Sequence, residues 1–316
     1  MTLKTERNHD SPLIRFAIAI VFGAIGFSLK FIFKPVVRGF SCGDLSINLP
    51  SIAKETVPLK YFYLIAIPFT FLVVTIGEMC LHMDPDERLC FKYACQWNFD
   101  RRLCQMARFI SIWLLGIAVD LFCVNLVKLS VGGLRPDFIE QCYPTDLKYR
   151  NGVDGCRTNN DSTHFFYLYT CQRLDDNNAK ILDSRRSFYS GHASTAFFFR
   201  HLPYRISFSL PLLCHTIYIH CRILPCFRRL FITDLFVVLY VLLFGAASFV
   251  AISRLFDHKH HNVDVVCGAL AGKAIALFLT FIHKEHFSAV RPISRADSSA
   301  ASVANGASQS SASSSN

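Results

Sequence analysis

Three separated stretches hold the residues of this sequence that could do chemistry. The richest is 253–264, where one Arg, one Lys, three His and two Asp fall between two long apolar runs. Charge beside hydrocarbon is expensive unless it faces water or protein, so such a density marks a functional site. The second stretch is Ser190-Gly191-His192, and the third runs from Lys128 to Arg135-Pro136. Lys128, Arg135 and Arg254 are the types that cradle a dianionic phosphate, the guanidinium forks matching its oxygens and the ammonium adding a point charge. The Ser190 hydroxyl and the Gly191 amide add donors, and glycine lets backbone approach a ligand closely. His192 and His260 complete the set. Neutral imidazole can attack phosphorus and imidazolium can protonate a leaving alkoxide, both near neutral pH. Asp264, four residues after His260, is spaced one helical turn away, where it could orient the ring and stabilise its charge.

The elements that must position these residues are membrane spans. The chain has 316 residues, of which 52% are hydrophobic and only 18% charged, with 30 Phe and a mean hydropathy of +0.32. A soluble domain carries more charge than this, so the composition points to a membrane protein. The net charge of +10 does not imply nucleic acid. Its basic residues form short clusters between apolar runs, as cytoplasmic loops beside anionic lipid do. Thirteen Cys without a repeated CxxC framework exclude a zinc module.

Apolar runs at 13–33, 61–81, 109–127, 231–252 and 263–282 are each long enough to cross a bilayer. A fourth span in chain order is expected within 193–219, but Arg200, His201, Pro203, Arg205 and Pro211 interrupt it. That helix either starts late, near Ile206, or is locally abnormal. Glu78 and Asp120 lie within spans, Asp120 facing other helices and Glu78 either the bundle or the interface. Six spans put both termini on one side. The dense basic clusters of 82–108 and 220–230 assign that side to the cytosol. The predicted architecture is therefore an all-α integral membrane protein: a cytoplasmic N-terminus (1–12), a six-helix bundle (13–287) and a disordered cytoplasmic tail (288–316). Its outer loops are 34–60 and 128–192. The second of these contains the glycosylation sequon Asn160-Asp161-Ser162. Cys42, Cys142, Cys156 and Cys171 are candidates for disulfides whose pairing spacing does not determine.

In this topology all three chemical stretches fall at one depth on the outer face. Each residue alone has a plainer explanation: interfacial anchors for Lys128 and Arg135, an ion pair for Arg254 and Asp264, or a metal cluster of His258, His260 and His261. Lys259 among the histidines argues against metal, and joint occurrence on one face argues against independent anchors.

At these residues the sequence resembles the type 2 phosphatidic acid phosphatase superfamily, in particular its six-span lipid phosphate phosphatase branch. The likeness rests on Lys128 with six residues before Arg135-Pro136, on Ser190-Gly191-His192, and on Ser253-Arg254 with five residues before His260 and three more before Asp264. Tyr189 stands where the superfamily often has Pro. The resemblance implies a metal-independent, cofactor-free phosphatase of lipid phosphates with an exterior or lumenal active site, most simply at the plasma membrane. His260 would be the nucleophile, Asp264 its support and His192 the acid, while Lys128, Arg135, Ser190, Gly191 and Arg254 hold the phosphate. Its partners would be membrane lipid phosphates and the bilayer, without nucleic acid, and a homo-oligomer is compatible with it. The alternative is a catalytically silent relative that binds lipid phosphate or acts as a scaffold.

Overall fold

The computed structural model describes residues 12–41, 43–80, 101–146, 165–167, 169–172, 175, 177–200 and 225–283. Within them are eight α-helices: α1 Pro12–Ile32, α2 Leu59–Cys80, α3 Arg101–Val131, α4 Phe138–Cys142, α5 Ala179–Ser184, α6 Gly191–Arg200, α7 Pro225–Phe256 and α8 Asn262–Ile282. α1, α8 and residues 106–131 of α3 are long and apolar enough to cross a membrane. Among the residues whose side chains are described, α2 and α7 contribute the apolar segments 59–72 and 240–256. Apolar side chains cover the outsides of these helices: Ile20, Phe31, Leu64, Leu242, Phe249 and Phe278 are all exposed. A helix apolar all round needs hydrocarbon as its solvent, so this is a membrane protein.

Several boundaries differ from the sequence reading. α3 continues four residues past the predicted end of its span, so Lys128 lies in its last turn and the following loop begins at Gly132. Gly132 has φ +60°, and its N–H donates to the Lys128 carbonyl at 3.2 Å. Only glycine takes that left-handed position without strain, and a Cβ there would overlap the Val36 carbonyl. Of the two expectations for the fourth span, a start near Ile206 falls outside the described residues, but a helix is present before it. α6 begins directly at Gly191 and carries Arg200 in its last turn. That arginine is tolerated because its guanidinium lies over the rings of Tyr240 and Phe244, 4.7 and 4.4 Å from their centroids, and donates to the Tyr240 hydroxyl. His201, Pro203, Arg205 and Pro211 lie outside the described residues. So do Cys42, Cys156, Asn160, the 288–316 tail and the side chain of Glu78.

The loops at this end of the helices add strands that an all-α reading omits. β1 (Phe40–Ser41) pairs antiparallel with β3 (Phe165–Phe166), and β2 (Pro144–Asp146) with β4 (Tyr169–Cys171). Phe40, Ile47, Phe138, Phe166, Tyr169 and Ile181 bury one another in a small core, with Phe40 stacked on Phe166 at 5.3 Å. A disulfide joins Cys142 to Cys171. These segments thus form an ordered cap with its own apolar centre.

Two helix contacts position the site. α1 lies on α3 at Gly26, where an added Cβ would touch the Phe122 backbone and where Asn125 donates to the Gly26 carbonyl at 2.9 Å. α6 lies on α8 along Val265, Gly268, Gly272, Ala276 and Leu279. A Cβ at Gly268 or Gly272 would fall 2.4 or 1.9 Å from the carbonyl oxygen of Ser190 or Ser194. The helices meet backbone to backbone there, as small residues permit in membranes. Asp120 of α3 faces this seam as its charge requires. It is 2% exposed and accepts hydrogen bonds from Ser194 and Thr195 of α6 at 2.5 and 2.8 Å.

Candidate active site

A short series of backbone hydrogen bonds brings the three chemical stretches together. Past Gly132 the chain runs beside 184–187: the Arg135 N–H donates to the Ser184 carbonyl at 2.8 Å, and Ser187 N–H to the Gly133 carbonyl at 2.9 Å. Three residues later the Ser190 N–H donates to the Asp264 carbonyl at 3.0 Å. Lys128-to-Arg135 is thereby tied to the Ser-Gly-His stretch, and that stretch to the start of α8. Local chemistry supports both helix starts. Ser190 precedes α6 and its hydroxyl accepts the Ala193 N–H at 3.4 Å. At α8, Asp264 is the third helical residue and its carboxylate accepts the N–H of His261, the N-cap, at 2.9 Å.

Arg254 is 1% exposed and all three of its nitrogens are engaged. Nε donates to Ser253 Oγ at 3.2 Å, Nη2 to Asp257 at 2.6 Å, and Nη1 to Glu55 at 3.2 Å. Nη1 also lies 3.5 Å from Nε2 of His192. Asp257 in turn accepts the N–H and hydroxyl of Thr56. The partner of Arg254 is therefore Asp257, one turn away on its own element, and not Asp264. Arg135 makes a two-point pair with Asp183 at 2.9 and 3.0 Å, while its Nε is buried without a hydrogen-bond partner. Lys128 lies within electrostatic reach of Arg135, Asp183, Asp264 and Arg186.

Asp264 reaches His260 across the predicted four-residue spacing at ion-pair distance, without a hydrogen bond. The His260 Nδ1 is 3.7 Å from its carboxylate, an ion-pair distance too long for a hydrogen bond, and is buried without a hydrogen-bond partner. The same carboxylate oxygen accepts from the Ser187 hydroxyl at 2.5 Å and sits 3.2 Å from Nδ1 of His261. The helix begins at Asn262, so His260 lies outside the regular i,i+4 geometry. His261, at the cap, inherits the close contact.

Protonation follows from these surroundings. Burial first, then Arg254, His260, Lys128 and Arg135, push His192 down to about 2. His260 is lowered to about 3, chiefly by burial and further by Lys128 and Arg135, against the raising effect of Asp264. Both rings are neutral at physiological pH. His261 moves the other way, raised by its contact with Asp264. Asp183 is 56% exposed yet set among protein groups. Partial desolvation would raise its carboxyl, but Arg135 and Lys128 prevail and hold it low.

The structure thus brings Arg135, Ser190, Gly191, His192, Arg254, His260 and Asp264 to one end of the bundle, with Lys128 in electrostatic reach. A Cβ on Gly191 would press on Val124 at 3.2 Å. Sequence reasoning missed Glu55, Asp183, Asp257 and Ser187. Asp257 carried a signal, three residues from Arg254 on a helix end. Glu55 lies 199 residues from its partner Arg254, and Ser187 lies 77 from Asp264, so nothing local marks them.

Fold and site together define a helical membrane protein with cationic side chains and two imidazoles gathered at one end of its bundle. The chain belongs to the PAP2 superfamily, whose family model matches residues 109–288. Phospholipid phosphatase 1 of Mus musculus is 27% identical over 258 residues, covering 80% of this chain and 77% of that protein. Phospholipid phosphatase 1 of Rattus norvegicus is 26% identical and covers 88% of each chain. Phospholipid phosphatase 2 of Bos taurus is 28% identical over 84% of this chain and 79% of its own. No solved structure matches the chain.

Proposed function

We propose that this protein is an integral-membrane lipid phosphate phosphatase that needs no metal ion. Family membership and the names of its relatives support this reading. The single observation that carries it is geometric: the Arg254 guanidinium lies 3.5 Å from the half-buried His192, at the same end of the bundle as the buried His260 with Asp264 at ion-pair distance. Lys128, Arg135 and Arg254 supply the positive charge that a phosphate dianion requires, and Ser190 and Gly191 add donors.

In the first step the His260 Nε2 lone pair attacks phosphorus and the ester P–O bond breaks. The lipid alkoxide leaves with that electron pair and takes a proton from the His192 imidazolium. A dianion bound beside His192 raises its proton affinity, so substrate itself charges the acid. Water then attacks the phosphohistidine phosphorus, giving a proton to His192; the P–N bond breaks with its electron pair returning to His260 Nε2, and inorganic phosphate departs. Asp264 stabilises the positive charge on His260 through space. The substrates are phosphomonoesters with tails left in the bilayer, such as phosphatidate, lysophosphatidate, sphingosine phosphate or ceramide phosphate. The site faces the exterior or lumen, most simply at the plasma membrane, serving phospholipid metabolism and lipid signalling.

The test uses membranes containing the protein, His260→Ala or His192→Ala, given these lipid phosphates with chelator present. Phosphate release is expected from the unaltered protein alone, with losses of roughly a thousandfold or more in each variant. Equal release from all three sinks the mechanism, and loss on chelation points to a metal enzyme.

A further inference from the structure

Glu55 belongs to the loop before α2 and touches the one donor of Arg254 that faces His192. Its carboxylate lies 3.2 Å from Nη1, and the same nitrogen lies 3.5 Å from His192 Nε2. The other two nitrogens of Arg254 are committed to Ser253 and to the buried Asp257. An anion placed between Arg254 and His192 must therefore use Nη1, the donor that Glu55 holds. Burial differs across this pair: the Arg254 side chain is 1% exposed and that of Glu55 36%. Asp257 cannot leave, but Glu55 can turn outward into water. Its neighbour Thr56 stays anchored by two hydrogen bonds to Asp257, so the movement needs only side-chain rotation. Arg135 makes an instructive contrast, since Asp183 takes both of its Nη atoms but leaves Nε open.

We propose that Glu55 is an internal stand-in for the phosphate: its carboxylate occupies Arg254 Nη1 in the empty site, and substrate or product phosphate binds by displacing it. The proposal rests on the reading of Arg254 as a phosphate clamp. It makes Glu55 a residue that sets affinity, weakening the hold on every phosphate species, the released product included. A carboxylate so placed keeps a site full of cations from retaining inorganic phosphate, whose binding would otherwise block turnover. The shared ligand chemistry is a phosphate dianion, whether on a lipid headgroup or free.

Purified full-length protein, E55Q and E55A are titrated with inorganic phosphate by equilibrium dialysis, and the inhibition of lipid phosphate hydrolysis by phosphate is measured in parallel. Both series are run at about 0.15 M and about 0.5 M salt, because the higher concentration screens a general loss of negative charge but leaves a contact competitor in place. The expected result is phosphate binding tighter by about fivefold to tenfold in E55Q and E55A at both salt concentrations, with the inhibition constant and the KM for lipid phosphate falling by a similar factor. Unchanged phosphate affinity in both variants overturns the proposal, as does a gain that disappears at the higher salt. Tighter phosphate binding by a protein that hydrolyses no lipid phosphate upholds the stand-in and refutes the phosphatase reading. Failure of the unaltered protein and both variants to bind phosphate refutes the clamp and the proposal together.

Discussion

The seam between α6 and α8 and the loop of residues 43–58 reach the same site, and they are held by different physics. At the seam, Ala193 and Ser194 are fully buried, and Gly268 and Gly272 let two backbones touch. The loop instead lies mostly exposed, with Ile47 its main buried anchor. It is tied down by polar contacts: Leu49 N–H to the Pro136 carbonyl at 2.8 Å, the Pro50 carbonyl to His258 at 2.8 Å, the Ser46 carbonyl to His261 at 3.2 Å, and Thr56 to Asp257. Packing fixes the helix that carries His192. Polar contacts aim the guanidinium beside it: one to the buried Asp257, one to the partly exposed Glu55. The difference teaches that the imidazole at the start of α6 is placed by close backbone contact, whereas the guanidinium beside it is held by polar partners, of which Glu55 is partly exposed.

The largest effect should come from breaking the seam. Gly272→Val places side-chain atoms into the Ser194 backbone, which cannot give way as a flexible side chain would. A loss of about 5 kcal/mol or more is expected, read as lower yield of folded protein and as thermal unfolding, with phosphate release lost in parallel. If Gly272→Val keeps full stability and activity, the two regions do not differ in the way described. On the loop side, Asp257→Ala strands the buried Arg254 and frees Thr56. Removing one member of a buried ion pair costs about 3–5 kcal/mol, and Asp257→Asn, which keeps the hydrogen-bonding shape, should recover part of it.

A smaller loss follows from opening the disulfide that holds the cap. Cys142 and Cys171 are 29 residues apart, and releasing a loop of that size is worth about 3–4 kcal/mol on the chain-entropy view. Cys142→Ser should unfold the cap at lower denaturant while the helical content of the bundle persists. Loss of both together would show that cap and bundle are one cooperative unit. Acidification sharpens the comparison further. An unfolded histidine takes up a proton near about 6.5, whereas His260 does so at about 3 in the folded protein. Between those values the unfolded state binds more protons, so stability falls as pH falls through this window. His260→Asn should flatten that slope in melting temperature against pH, and an unchanged slope would mean that other groups set it. The smallest effect belongs to a single tie of the loop. The Ser51 hydroxyl meets Asp137 at 3.3 Å and accepts from Gln141, so Ser51→Ala should cost about 1 kcal/mol, measured by thermal unfolding.

The apolar runs were legible because membrane helices must be apolar over a fixed length, and the predicted spans at 13–33 and 263–282 match α1 and α8 within one residue. The end of α3 and the start of α6 were not. Lys128 and Arg200 look like the limits of hydrocarbon in composition, but a glycine cap beyond one and aromatic faces around the other let both remain helical. The loops beside the site were the least legible part. Their short strands draw partners from far along the chain, Phe40 with Phe166 and Pro144 with Cys171, and two- or three-residue strands leave no periodic pattern.

The sequence by itself determined the chemical inventory. Histidine, arginine, lysine and serine at those spacings specify what can be bound and transferred, because reactivity belongs to the side chain and spacing along a helix end is a local property. Only the tertiary structure decided who touches whom. Asp264 turned out to hold His261 and Ser187 more closely than His260, Arg254 took Asp257 and Glu55, and Arg135 took Asp183. These pairings depend on where α6 meets α8 and where the loop of residues 43–58 comes to rest. Those positions are set by backbone contacts at Gly268 and Gly272 and by hydrogen bonds spanning as many as 215 residues, which no local pattern can encode.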